Sequence, residues 1–200
     1  SLVVGFDGII ELPEQRVTDL YGALGSAAPT SNGSQPDDAA ALATYALRGG
    51  FLDQVDTFDA AFFGLAPREV LVMDPAHRLL LETAWQALED ANIIPATLFN
   101  TEVGVFIGSG VSGYASLCAD VEPNLYLATG NTASTASGRL SYLLGFTGPS
   151  VSIDTACSSS LTAIHLACQS LRSGECSAAL AGGVNIILEA GFTAMFASGN

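Results

Sequence analysis

From Pro123 to Asn200 the chain carries only five charged residues: Arg139, Asp154, Arg172, Glu175 and Glu189. A stretch so poor in charge cannot face water on all sides. It forms an inner layer of a layered fold or lies under another subunit. Within and just before it, short apolar runs alternate with runs of helical period. "EVGVFIGSG" (102–110), "SVSIDTA" (150–156) and "AALAGGVNIIL" (178–188) read as buried strands. "NTASTASGRLSYLL" (131–144) and residues 157–171 read as helices, stopped by "GFTGPS" and "RSGE". The order β, α, β, α, β with uninterrupted apolar strands predicts an α/β fold, a largely parallel sheet with helices on its faces.

Upstream, "GSAAPTSNGSQPDDAA" (25–40) is rich in Gly, Ser, Pro and Asp and reads as a loop within a domain. Asp74-Pro75 then supplies an N-cap followed by proline at the first helical position. Leu79, Leu80, Thr83, Ala84, Ala87 and Leu88 recur at helical spacing, predicting a helix over roughly 75–91.

Composition narrows the function. The 200 residues are 49% hydrophobic, enough for one sizeable core. The net charge is −14, all six basic residues are arginine, and lysine is absent. Such a balance argues against nucleic acid and against anionic membrane as partners. No apolar run reaches the roughly 18 residues of a membrane helix, and no signal peptide is recognisable. The chain is expected in the cytoplasm, with any organelle-targeting sequence lying before Ser1. Cys118, Cys157, Cys168 and Cys176 show neither C-x-x-C spacing nor paired histidines, so reduced thiols are expected rather than a metal site.

One cysteine stands apart. In "DTACSSSL" (154–161), Cys157 sits where a strand delivers its last residue to the first turn of a helix. Unpaired backbone N–H groups and the positive end of the helix dipole converge there, and such places favour a thiolate. Ala156, Ser158, Ser159 and Ser160 are small and leave room for an electrophile, and the Cys157 backbone N–H is a candidate oxyanion donor. Cys118, Cys168 and Cys176 are expected to pack as small hydrophobes. His165 lies eight residues into the same helix, about 12 Å away at about 1.5 Å per residue, too far to act as base, and is expected to be a packed helix residue. His77 falls in the first turn of another helix, where capping or a surface position is the default. Asp154, a carboxylate in an apolar strand, needs partners, with Arg139 and nearby backbone N–H groups as candidates in a structural role. The glycines of "GNTASTASG" and "LAGGVN" match no phosphate-binding fingerprint and are expected to permit close packing.

Three blocks, "FDAAFFGLAPREVLVMDPAHRLLLETAWQALEDAN" (58–92), "GNTASTASGRLSYLLGFTGPSVSIDTACSSSLTAIHLACQSLRSGE" (130–175) and "AALAGGVNIIL" (178–188), resemble the β-ketoacyl synthases, in particular the ketosynthase of modular type I polyketide synthases. The family's active-site signature reads D-T-A-C-S-S-S. "GFDGIIELPEQRV" (5–17) resembles a further family region, with Val17 where tryptophan is common.

The resemblance implies a thiolase-like layered sandwich, of which residues 1–200 would be a partial ketosynthase domain: the first half of a duplicated α/β fold, without its opening strand or its C-terminal half. It implies that Cys157 accepts an acyl chain as a thioester and that a malonyl-type extender thioester then condenses with it. Both substrates would be carried on the phosphopantetheine of an acyl carrier protein, with no cofactor or metal bound directly. A homodimer joined near "SVSIDTA" is implied as well, in polyketide or fatty acid biosynthesis. The family's catalytic histidines, in H-G-T-G and N-I-G-H motifs, have no counterpart in these 200 residues, so this chain alone is expected to be inactive in condensation. A thiolase-like acyltransferase using coenzyme A thioesters is the alternative enzyme. A non-catalytic dimerisation partner resembling a chain-length factor is the other alternative, against which Cys157 counts.

Overall fold

The computed structural model describes residues 8–13, 48–110 and 112–188. The chain divides into two compact units. In the unit containing residues 1–55 and 187–200, β1 (Ile10–Glu11) pairs antiparallel with β2 (Arg48–Gly49), Ile10 opposite Gly49. The loop expected at 25–40 lies outside the described residues.

The unit spanning Asp56–Ile186 has at its centre a three-stranded sheet, β3 (Val103–Ser109), β4 (Ser150–Ile153) and β5 (Ala178–Val184), in the order β4-β3-β5. Both pairings are parallel, Val105 to Gly108 against Ser150 to Ile153 and Val103 to Ser109 against Ala178 to Val184. Around it lie α1 (Pro67–Val70), α2 (Pro75–Asp90), a 3-10 turn at Pro95–Leu98, α3 (Tyr114–Leu117), α4 (Leu125–Asn131), α5 (Ala133–Leu144) and α6 (Ser159–Ser173). No helix of the described residues is long and apolar enough to cross a membrane.

The alternation of β3 explains the layering. Val103, Val105 and Ile107 join Leu80, Leu81 and Leu88 of α2 and Ala136, Leu140 and Leu144 of α5 in one cluster. Phe106 points the other way, onto Ala163 and Ala167 of α6. Every residue of β3 is buried, as befits a central parallel strand covered on both faces. Successive side chains alternate faces, so Gly104 and Gly108 share the α6 face with Phe106.

Several boundaries differ from the sequence reading for local reasons. The helix expected at 131–144 is α5, starting two residues later, and a separate helix that the sequence reading lacked, α4, precedes it. Asn124 caps α4 by accepting the Leu127 N–H at 3.0 Å, and Thr132, extended at φ −88° and ψ 128°, separates α4 from α5. Asp74 caps α2 as expected, accepting the Ala76 N–H at 2.8 Å. The buried face of α2, however, is Leu80, Leu81 and Leu88, whereas Thr83 and Ala87 are exposed. Gly174, left-handed at φ 77°, ends α6 where "RSGE" predicted a stop.

The charge-poor stretch is not enclosed by the described residues. Leu125, Tyr142 and Leu161 are 75%, 84% and 70% exposed, and Ile164 and Leu171 are open as well. An inner layer enclosed by the described residues is therefore not what these side chains form.

Candidate active site

β4 ends at Ile153 and α6 begins at Ser159, so residues 154–158 make a tight strand-to-helix turn. Cys157 is exposed in it, at the N-terminal end of α6, where the first-turn N–H groups have no intrahelical acceptor. The backbone before it is unusual. Ala156 has φ +56°, the left-handed region that side-chain-bearing residues rarely adopt.

Side chains on both sides hold this turn. Asp154 Oδ1 accepts the Ala156 N–H at 3.0 Å. Ser159 Oγ accepts the Thr155 N–H at 2.9 Å and donates to the Ala156 carbonyl at 2.6 Å, and the Ser159 N–H reaches the same carbonyl at 3.1 Å. Ser158 Oγ lies 2.8 Å from the Thr155 carbonyl, which it donates to. The helix is seated close to the sheet: a Cβ on Gly108 would lie 2.6 Å from the Ser159 carbonyl carbon, and one on Gly183 would lie 2.8 Å from Ser160 Cβ. Of the glycines expected to permit close packing, Gly183 of "LAGGVN" and Gly130 of "GNTASTASG" do so, whereas Gly182 and Gly138 face open space; Gly108 packs closely from the central strand.

Asp154 is not paired with Arg139. Arg139 is bonded to Glu69, and Asp154, one residue beyond the last paired position of β4, is exposed and satisfied by the turn's own backbone. A carboxylate already outside the sheet interior has no need of a buried cation.

The two histidines exchange their expected environments. His165 is exposed, because Ala163, Ala167 and Ser170 set the buried face of α6 and residue 165 lies on the other side. His77 is 3% exposed, with its Nδ1 unpartnered, since residues 72–78 are buried as a block at the start of α2. Burial holds its pKa down at about 4; the nearby Asp74 raises it and Arg139 lowers it. Neither histidine belongs to the turn. The neighbouring Arg78, also buried, donates from Nε and Nη2 to the Met73 carbonyl at 2.9 and 2.7 Å and from Nη2 to the Tyr114 hydroxyl at 3.0 Å. It is thus a scaffold group.

All four cysteines are free; Cys118 and Cys176 are buried, as expected of small hydrophobes, while Cys168 is half-buried. A small apolar cavity of about 90 Å³ lies among Phe62, Phe63, Leu81, Trp85 and Leu140, and no residue of the turn lines it. The sequence reading did not single out Ser159 or Gly108. Ser159 is one of three serines in a row, and only the seating of the helix tells which is buried. Gly108 did carry a signal, since glycines at 104 and 108 fall on the same face of a strand otherwise filled with large side chains.

The family model described as the N-terminal domain of β-ketoacyl synthase matches residues 2–200. Pikromycin polyketide synthase component PikAII of Streptomyces venezuelae is 50% identical over 185 residues, covering 92% of this chain and 5% of that protein. Mycoketide-CoA synthase of Mycobacterium tuberculosis is 50% identical over 180 residues, covering 90% of this chain and 4% of that protein. The chain thus spans only a small part of these relatives. The solved oxazolomycin ketosynthase domain OzmH KS7 of Streptomyces albus JA3453 superimposes with a TM-score of 0.77 at 35% identity, over 98% of this chain and 33% of that one, in keeping with a thiolase-like fold. With residues 2–200 matched throughout and half of the positions shared with such synthases, the chain belongs to the β-ketoacyl synthase family and carries its N-terminal domain.

Proposed function

We propose that this chain is the nucleophile-bearing part of a polyketide ketosynthase, a decarboxylating condensing acyltransferase in which Cys157 holds the growing chain as a thioester. The observation that carries the reading is the exposed Cys157 on a strained strand-to-helix turn at the N-terminus of α6. In the proposed first step the Cys157 sulfur attacks the carbonyl carbon of an acyl thioester, the carbonyl π pair moves to oxygen, and the N–H groups of the turn stabilise that oxyanion. Collapse of the tetrahedral intermediate breaks the bond to the donor's sulfur, which leaves as a thiol with the proton given up by Cys157. In the second step a malonyl-type thioester loses CO₂. The electron pair of the broken carbon–carbon bond forms the new bond to the acyl carbon, and the Cys157 thiolate leaves. A thiol serves both steps because it attacks a thioester and departs again.

We propose further that both substrates are presented on the phosphopantetheine of an acyl carrier protein, a reading that rests on the resemblance of the D-T-A-C-S-S-S segment to the polyketide ketosynthases. A second copy of the chain is proposed at the β4 edge, since β4 is an outer strand beside exposed apolar side chains. Neither an H-G-T-G nor an N-I-G-H motif occurs in these 200 residues. A net charge of −14 offers little to an acidic carrier. The chain by itself therefore acylates without condensing.

The test is to incubate the folded protein with an acyl N-acetylcysteamine thioester and map the product by mass spectrometry. An acyl group on Cys157, absent from Cys157→Ala, is the expected result. A folded protein labelled on Cys118 or Cys168 in preference to Cys157 would overturn the assignment.

A further inference from the structure

The hydrogen bonds of the turn point to two residues that set the direction of the reacting groups without touching substrate. We infer that Ser159 and Asp154 are positioning residues for Cys157, Ser159 aiming the Cys157 backbone N–H as oxyanion donor and Asp154 fixing the left-handed Ala156 that makes this aim possible. The inference rests on the reading of Cys157 as the acyl-accepting nucleophile.

The constraint acts through one peptide plane. The Ala156 carbonyl and the Cys157 N–H belong to the same peptide group, and the described residues contain no cis peptide bond. In a planar trans peptide the two point in opposite directions. The Ala156 carbonyl is held towards α6 by the Ser159 hydroxyl at 2.6 Å and by the Ser159 N–H at 3.1 Å. The Cys157 N–H is therefore turned away from Ser159. Ser159 can impose this because it is itself fixed: it is 8% exposed, pressed on the backbone of Gly108, and its hydroxyl oxygen is occupied by the Thr155 N–H.

Asp154 secures the preceding peptide group. Its Oδ1 accepts the Ala156 N–H, so both peptide groups flanking Ala156 are tied by side chains, one from each end of the turn. An alanine at φ +56° has an unfavourable backbone conformation, and these bonds oppose its relaxation. The role requires an acceptor oxygen at 154, not a charge.

Two reactions of the same sulfur separate aiming from general damage. Thioester acylation develops an oxyanion and needs the N–H; alkylation by iodoacetamide displaces iodide and does not. In Ser159→Ala and Asp154→Ala, acylation of Cys157 by an acyl N-acetylcysteamine thioester should fall about tenfold or more, while iodoacetamide alkylation of Cys157 changes less than about twofold and the melting temperature identifies folded samples. Asp154→Asn, which keeps Oδ1 as an acceptor, should restore acylation to near the unaltered rate. If Ser159→Ala does not fold, the Asp154 pair decides, because Asp154 is exposed. Undiminished acylation in the alanine variants, or an equal fall of both reactions, overturns the positioning roles alone. Absence of acyl transfer to Cys157 in the unaltered protein overturns the nucleophile reading and this inference with it.

Discussion

Gly108 and Ser159 meet backbone to backbone: a Cβ on Gly108 would stand 2.6 Å from the Ser159 carbonyl carbon and 2.6 Å from the Ser160 nitrogen. Neither atom is the end of a flexible side chain, so Gly108→Ala must push the first turn of α6 off the sheet. Overpacking of this kind costs about 1–3 kcal/mol. The expected outcome in urea denaturation is a loss in that range, accompanied by slower thioester acylation of Cys157. A variant as stable and as reactive as the unaltered protein would show that the helix seat is not what sets the turn.

Cys157 should be the first thiol to react with iodoacetamide in the folded protein. It is exposed, Cys168 is half-buried, and Cys118 and Cys176 are buried. Peptide mapping after brief alkylation should find carbamidomethyl on Cys157 well ahead of Cys168, with Cys118 and Cys176 modified only after unfolding. Equal modification of all four in folded samples would contradict the burial of Cys118 and Cys176.

Glu69 and Arg139 form an ion pair in the Asp56–Ile186 unit, their side chains 18% and 11% exposed, with the Arg139 Nε left without an acceptor. Removing one partner leaves the other charge largely out of water. Glu69→Gln is therefore expected to cost about 3 kcal/mol, and the double replacement Glu69→Leu with Arg139→Met to recover most of it. Chemical denaturation of the two singles and the double measures the coupling. Additive losses would show that the pair contributes no interaction energy.

The sheet was legible because its strands are continuous apolar runs punctuated by glycine, and a central parallel strand has few other ways to look. The strand-to-helix turn that carries Cys157 was legible from the change of period around it. Side-chain partnership was not. Arg139 and Asp154 lie near each other in sequence, yet Arg139 finds Glu69, seventy positions earlier, and Asp154 turns back on its own backbone. Such choices depend on which residues the folded layers bring together, and no local pattern encodes them. The same holds for His77 and His165, whose burial follows from neighbours in space.

His77 gives the fold a pH dependence whose sign can be worked out. Its pKa falls from 6.5 to about 4 on folding, chiefly because burial disfavours the charged ring. Below pH 6.5 the unfolded chain takes up a proton at this site that the folded chain refuses until about pH 4. The unfolded state then binds more protons, so stability falls as pH falls through that window and is unaffected by this group above it. The full loss is about 3 kcal/mol, reached near pH 4. The carboxylates titrate in the lower part of the same range, so the informative quantity is a difference. Urea denaturation of the unaltered protein and of His77→Gln, from pH 7.5 down to about 4.5, should give curves whose gap narrows steadily below pH 6.5. The histidine protein loses stability faster, because glutamine has no proton to gain. A gap constant with pH would mean that His77 is protonated as readily in the fold as out of it, and that its unpartnered Nδ1 is reached by solvent.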